Sequence, residues 1–336
     1  MHPKYSLLTL PLLLATCAQA ADKLPVYKTD PAQTSISGLS SGAYMAVQYQ
    51  VAYSASVKGA GIIAGGPYYC AANNILYAGI CMGLVPLVSP KPGPMLTAAQ
   101  EFEKTGQIDP LSNLKKANIY VFSGIEDNVV RQKAVDTTVA FFKLAGVPEN
   151  HIRYVNELAA GHAFITPGFG NNCSANAAPY ISHCELKATG YDQAGDLLQH
   201  IYGPLNPPAK TLLGKIIAFN QRDFAIPESS LADTGYAYIP QSCAQGATCK
   251  VHIALHGCQQ SAESVGDSFY KDTGYNPWAD SNHLIVLYPQ VNKSKANPEN
   301  PRGCWDWFGY SGPAYAVKSG VQMTAIKAMV DRLGGR

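Results

Sequence analysis

Between Ser35 and Gly42 the chain reads SISGLSSG, and AYMAVQYQVAYS follows at once. A short approach with β-branched Ile36 enters the turn Gly38-Leu39-Ser40-Ser41-Gly42. The residues after it space their apolar side chains as a helix does. A strand, a sharp turn and a helix joined this tightly leave few folds open. The glycines on either side of Ser40 let the backbone reverse and leave the Ser40 hydroxyl standing clear. The first N–H groups of the following helix have no partners within it and point toward whatever reacts there. A bare G-x-S-x-G is a weak signal, because glycine and serine fill many structural turns; the strand and helix flanking it make it read as a nucleophile's turn.

The first residues read differently. Lys4, an apolar run from Leu7 to Leu14 and Ala18-Gln19-Ala20 have the pattern of a secretory signal peptide cleaved after Ala20. A lipoprotein reading would make Cys17 the modified residue, but Thr16 is larger than such sites accept. No other run is long and apolar enough to span a membrane. With Lys4 removed, basic groups exceed acidic groups by one, so a nucleic-acid or polyanion partner is not expected. Apolar residues make up 47% of the chain, enough for one large core. The 20 tyrosines serve either core packing or an aromatic binding surface.

Loss of Cys17 with the leader turns nine cysteines into eight, an even number in an exported chain. Eight cysteines allow 105 pairings, so spacing is only a guide. Cys70 and Cys81, Cys173 and Cys184, and Cys243 and Cys249 are neighbours in sequence, which leaves Cys258 and Cys304. There is no C-x-x-C pair, so a metal site is not expected, and acyl transfer through a serine would need no cofactor.

In chain order, Gly59–Ala64 reads as a buried strand closed by Gly65-Gly66-Pro67. Residues 68–115 read as an irregular surface excursion, a rim over the site. Asn118–Phe122 is a strong strand ending in SGIEDN, and 130–144 has helical spacing. His151–Val155 is a further strand, followed by a loop with Gly161-His162. Strand, loop and helix alternating in this way predict a mostly parallel sheet covered by helices on both faces, with ligands at the carboxyl ends of the strands. Ser40, Asp127 and His162 each lie just past a strand, in the order Ser, Asp, His. Glu126 and Asp136 are rivals to Asp127. His151, His183, His200, His252, His256 and His283 read as structural or exposed, with His200 in a helix.

The second half has a strand at Tyr236–Ile239 and another at 250–255 that ends in His256-Gly257-Cys258. A His-Gly turn after a strand is how many esterases present a second oxyanion N–H. That strand ordinarily precedes the nucleophile; here it follows by more than 200 residues. Beyond it come a helix near 276–281, a strand at Leu284–Tyr288 and a closing helix from Gly320 to Leu333. A circular permutation explains the order: the closing helix would lead straight into the Ser35–Gly38 strand. No linker or repeat divides residues 21–336, so one domain is expected.

SGLSSGAYMAVQ, AGGPYYCA, NIYVFSGIED, AGHAF, TGYAYIPQSC, VHIALHGCQQS, TGYNPWADSNHLIVLYPQ and GCWDWFGY together resemble the extracellular poly(3-hydroxybutyrate) depolymerases with a circularly permuted α/β-hydrolase domain. The resemblance covers nearly all of the chain after the leader. It implies a secreted serine esterase, extracellular or periplasmic and monomeric, acting on a polyester or hydroxyalkanoate oligomer. Ser40 would be the nucleophile, His162 the base and Asp127 its partner. The oxyanion would be held by the backbone N–H groups of Ser41 and Cys258, and Cys258 would pair with Cys304. Trp307 matches an aromatic residue of the family's substrate cleft, and Trp305 stands beside it; packing under the disulfide is the other use of both. Many members carry a linker and a polymer-binding domain for which this sequence has no counterpart, so soluble oligomers or amorphous polymer are the expected substrates. The second half alone also resembles feruloyl and acetylxylan esterases, which lack the N-terminal serine turn. A catalytically inert polymer-binding protein is the remaining alternative.

Overall fold

A computed structural model describes residues 22–186 and 188–336; the expected leader over residues 1–20, with Cys17, lies outside them. The main strands are β1 (Thr29–Leu39), β2 (Val57–Ile63), β3 (Asn118–Phe122), β4 (Ile152–Val155), β5 (Lys215–Asn220), β6 (Thr234–Ile239), β7 (Cys249–Leu255) and β8 (Leu284–Tyr288). They form one eight-stranded sheet in the order β5-β6-β8-β7-β1-β2-β3-β4. Pairing is parallel from β8 through β4 and antiparallel only where β6 meets β5 and β8. The expected mostly parallel α/β sheet is thus present.

The main helices are α1 (Ser41–Ala52), α2 (Pro92–Lys104), α3 (Gln132–Leu144), α4 (Gln193–Tyr202), α5 (Tyr275–Ser281) and α6 (Val321–Leu333). Alternation along β1 fixes which helices lie where. Ser35 and Ser37 point toward α4 and α5, where Ser35 Oγ lies 2.6 Å from the Tyr202 hydroxyl and Ser37 Oγ 2.6 Å from the Tyr275 hydroxyl. Helix α1 packs on β1 and β2 from the other face. All twelve of its residues are buried, because later chain covers its outer side as well. Gln48, polar yet buried, donates from Nε2 to the Asp306 carbonyl at 3.0 Å.

The permuted order has a direct structural counterpart. β7 lies beside β1, with Ser37 opposite Ala254 and Gly38 opposite Leu255, although some 217 positions separate them in sequence. α6 ends against the segment entering β1: Tyr27 N–H donates to the Leu333 carbonyl at 2.8 Å, and Arg332 Nε to the Leu24 carbonyl at 2.8 Å.

Residues 68–115 depart from the sequence reading. They contain α2, which packs on α3 and buries only Met95 and Ala99. Its opening Pro92-Gly93-Pro94 looks like a loop, yet proline is tolerated in the first turn of a helix, where no N–H is needed. The start of α3 also differs: Val129 and Val130 give their N–H groups to the Asp127 side chain, so the helix begins at Gln132. The sequence pattern does not mark β5, an edge strand.

All four cysteine neighbourhoods close as disulfides: Cys70–Cys81, Cys173–Cys184, Cys243–Cys249 and Cys258–Cys304. Among the described residues no helix is long and apolar enough to cross a membrane.

Candidate active site

Ser40 stands at the sharp turn between β1 and α1, at φ 57° and ψ −123°. A non-glycine residue with positive φ is strained, and such strain is held only where its surroundings fix it. Here the surroundings are close-packed backbone. A Cβ on Gly38 would overlap the Gly42 carbonyl, and one on Gly42 would overlap the carbonyls of Leu255 and His256. Ser40 N–H donates to the Ile63 carbonyl at 2.9 Å, which ties the turn to the end of β2.

The register of β1 against β7 brings the second half of the chain to the same spot. Gly38 faces Leu255, so two residues on, Ser40 and Gly257 are side by side; a Cβ on Gly257 would lie 3.3 Å from that of Ser40. Among the described residues, neither the Ser41 nor the Cys258 amide N–H donates to a protein acceptor. One heads α1 and the other lies on the His-Gly turn after β7.

Asp127 and His162 come from loops after β3 and β4. His162 Nδ1 lies 2.8 Å from Asp127 Oδ2, and both side chains are almost wholly buried. The other carboxylate oxygen accepts the N–H groups of Val129 at 2.8 Å and Val130 at 2.9 Å, which fixes its plane. The rivals lie elsewhere: Glu126 is exposed, and Asp136 accepts from the Tyr154 hydroxyl. Ser40 and His162 line the same cleft; among the described residues no hydrogen bond yet joins Ser40 Oγ to the ring. Catalytic contacts of this kind often tighten only around substrate.

A residue that the sequence did not mark holds the two loops together. Asn176 Oδ1 accepts the His162 N–H at 2.9 Å and the Asn128 N–H at 3.0 Å, while Nδ2 donates to the carbonyls of Glu126 and Ser174 at 3.1 Å. Cys173–Cys184 staples the segment that carries Asn176, and the Cys173 carbonyl accepts the Gly161 N–H at 2.8 Å.

The cleft has a volume of about 330 Å³, within the ordinary range for small-molecule sites. Its walls are mainly apolar, with Tyr44, Met82, Val129, Val130, Tyr180, Trp307 and Phe308 among them. Trp307 stacks on Tyr44 with ring centroids 4.5 Å apart, and the Tyr44 hydroxyl donates to the Cys81 carbonyl. Asp306 shapes the loop that carries Trp307: its buried carboxylate accepts the N–H groups of Phe308, Gly309, Tyr310 and Ser311 and the Ser311 hydroxyl. Desolvation raises the Asp306 pKa, against the pull of those donors.

Trp305 is a correction. It does not line the cleft but lies fully in the core. Its backbone N–H donates to Ser41 Oγ at 3.2 Å, and its ring lies 5.6 Å from that of His256, the residue that opens the His-Gly turn. Of the two packing and lining alternatives for the tryptophans, Trp305 takes the first and Trp307 the second.

This constellation can be set beside known proteins. A family model described as esterase PHB depolymerase matches residues 234–335. The chain is 45% identical over 323 residues to a poly(3-hydroxybutyrate) depolymerase of Delftia acidovorans, covering 94% of this chain and 62% of that protein. It is 38% identical over 335 residues to a polyhydroxybutyrate depolymerase of Talaromyces funiculosus, covering 95% of each. Among solved structures, a PHB depolymerase from Penicillium funiculosum superposes with a TM-score of 0.84 at 36% identity, covering 93% of this chain and 99% of that one. An alanine variant of a PHB depolymerase complexed with an R3HB trimer gives 0.83, with the same identity and coverage. A relative matched nearly end to end, with an α/β fold superposing over the same span, settles the lineage: the chain belongs to the polyhydroxybutyrate depolymerase family.

Proposed function

We propose that this protein is a secreted serine esterase, monomeric, that hydrolyses the ester bonds of poly(3-hydroxybutyrate) or its oligomers. The observation that carries this reading is the buried Asp127–His162 pair, 2.8 Å apart, opening on the cleft that also holds Ser40 on its strained turn.

A serine hydroxyl is a poor nucleophile at neutral pH and needs a base beside it. His162 takes the Ser40 proton through Nε2 as Oγ attacks the ester carbonyl. Asp127 holds the Nδ1–H tautomer and stabilises the imidazolium that forms. The carbonyl oxygen becomes an oxyanion beside the free N–H groups of Ser41 and Cys258, each contributing on the order of 3 kcal/mol in the transition state. The tetrahedral intermediate collapses to an acyl-enzyme, and His162 protonates the departing alcohol. Water, deprotonated by the same ring, then frees the acid and restores Ser40. The leader, the disulfides and the secretory setting belong together in this reading.

The substrate follows from the walls and from the relatives. A hydroxyalkanoate chain is uncharged along its backbone and presents methyl groups, which suits the apolar Tyr44–Trp307 wall. A related structure holds an R3HB trimer. Ile75, Ala78 and Met82 line the cleft, and Ile75 and its chain neighbour Leu76 are exposed, an apolar edge suited to lying on a polymer surface.

The test is release of 3-hydroxybutyrate and its short oligomers from amorphous polymer granules, run beside ferulate release from a methyl ester. Polymer products from the wild type, none from Ser40→Ala and little ferulate are expected. Preferential ferulate release, or full turnover by Ser40→Ala, contradicts the proposal.

A further inference from the structure

Two buried side chains outside the triad hold two successive peptides, the second of which carries the second free amide. His256 has no solvent exposure, and both its ring nitrogens are engaged by backbone. Nδ1 lies 2.7 Å from the Gly257 carbonyl oxygen, and Nε2 lies 3.0 Å from the Val291 nitrogen. A carbonyl can only accept and an amide N–H can only donate, so the tautomer is fixed: Nδ1–H donates and Nε2 accepts. Gln260, equally buried, accepts the Gly257 N–H on Oε1 at 2.7 Å. Its Nε2 donates to the carbonyls of Pro179 at 2.8 Å and Tyr180 at 3.1 Å. The Tyr180 ring meets His162 edge-on, with centroids 6.2 Å apart. On the far flank, Gln259 N–H donates to the Arg302 carbonyl at 2.7 Å and Cys258 is bonded to Cys304.

Resting on the esterase reading, we propose that His256 and Gln260 are positioning residues that aim the Cys258 N–H at the oxyanion. The reason is the geometry of a trans peptide. The Gly257 carbonyl and the Cys258 N–H belong to one planar unit and point in opposite directions. Drawing the carbonyl onto the His256 ring therefore turns the N–H away from that ring, and Gly257 itself borders Ser40. Gln260 fixes the preceding peptide through the Gly257 N–H, so the unit cannot rotate. The same amide reaches the loop beside His162, which keeps the oxyanion donor and the base in one frame. A glycine between two such anchors is free to take whatever rotation its neighbours do not forbid. Burial pushes the His256 pKa down to about 4, so the ring stays neutral and keeps this tautomer above that pH.

The test uses the full chain and separates the two contacts of His256. In His256→Gln the side-chain carbonyl can still take the Val291 N–H, but nothing donates to the Gly257 oxygen. In His256→Asn an amide N–H₂ stands near the place of Nδ1 and restores that donor. Gln260→Met removes the second anchor at similar volume. Each is assayed with p-nitrophenyl butyrate and with n-butylboronic acid, which becomes a tetrahedral anion on the serine. His256→Gln should lower kcat by about tenfold to a hundredfold, with KM changed by less than about twofold. It should weaken the boronate by the same factor as kcat/KM. Gln260→Met should behave alike, and His256→Asn should recover most of the loss. Equal losses in His256→Gln and His256→Asn, or unchanged boronate affinity where kcat falls, would overturn the proposal. If His256→Gln does not fold, wild-type kcat and boronate affinity in Gln260→Met overturn it instead. Ser40→Ala distinguishes the two readings. Turnover in that variant refutes the esterase assignment, while an inactive Ser40→Ala beside a wild-type His256→Gln refutes only the positioning role.

Discussion

Replacing Asp127 by asparagine should remove turnover and leave the fold standing, because the two carboxylate oxygens do separate work. One accepts the N–H groups of Val129 and Val130, and the other faces His162 Nδ1. In Asp127→Asn the amide must turn its oxygen toward the two N–H groups, since the reverse would set donors against donors. Its N–H₂ then faces His162 Nδ1. The ring must accept there and carry its proton on Nε2, the nitrogen that should take the proton from Ser40. A wrong tautomer of this kind cost about 10⁴ in kcat in a well-studied serine protease, equivalent to about 5.4 kcal/mol of barrier. Stability should fall by less than about 1 kcal/mol, because both turn hydrogen bonds survive. Asp127→Ala is the contrast: it loses those bonds too and should cost about 2 kcal/mol at roughly 1 kcal/mol each. The assay pairs kcat on p-nitrophenyl butyrate with urea unfolding. An Asp127→Asn protein that keeps more than about a tenth of the wild-type kcat refutes the assignment of Asp127 to His162.

Three further outcomes are expected. Asn176→Ala leaves the His162 and Asn128 amides without their acceptor, so stability should drop by about 1–3 kcal/mol and kcat should fall more than KM; a variant with wild-type kcat contradicts its bridging role. Burial depresses His252 to about 3 and His256 to about 4. Above the unfolded value of about 6.5 neither histidine makes stability depend on pH. Below it the unfolded chain takes up protons that the folded one refuses. Stability should therefore fall by about 1.4 kcal/mol per pH unit for each histidine as pH drops toward those folded values. Urea midpoints for wild type and His252→Gln should diverge between pH 7 and pH 5, and parallel curves contradict this. Trp307→Ala opens the wall over Tyr44 and should raise KM for a soluble hydroxybutyrate oligomer by about tenfold, with kcat less affected; an unchanged KM removes Trp307 from the substrate wall.

The parts that sequence made legible are those governed by local chemistry. The turn around Ser40 needs small residues and a flanking strand and helix, and all of these stand next to one another in the chain. The strands Asn118–Phe122 and Leu284–Tyr288 are short apolar runs with clear ends, and the structure has those boundaries. The displaced position of the His-Gly strand was readable as a permutation because the strand that should precede the serine turn was found far behind it. What stayed hidden depends on contacts between distant segments. Asn176 lies in an unpatterned stretch, and its role arises only when the two loops meet. Gln260 looks like an ordinary polar residue after a strand, and His256 marks the His-Gly turn without showing a task for its side chain, until the sheet register sets Gly257 against Ser40. Trp305 and Trp307 are two apart in sequence, yet only packing decides that one is core and the other wall. Helix α2 was obscured because its amphipathic face is thin and its first turn holds two prolines, which read as a loop.

The central claim is convergence: a serine from the start of the chain, a histidine and an aspartate from its middle, and an amide from its far half form one reacting centre. The most direct measurement is mass-spectrometric mapping after treatment with a fluorophosphonate, an acylating-centre probe that needs both an activated serine and an oxyanion hole. One phosphonyl group per chain, placed on Ser40, is expected in wild type, and none in Ser40→Ala; His162→Gln should label far more slowly. Labelling at another residue, or equal labelling of wild type and His162→Gln, would contradict it.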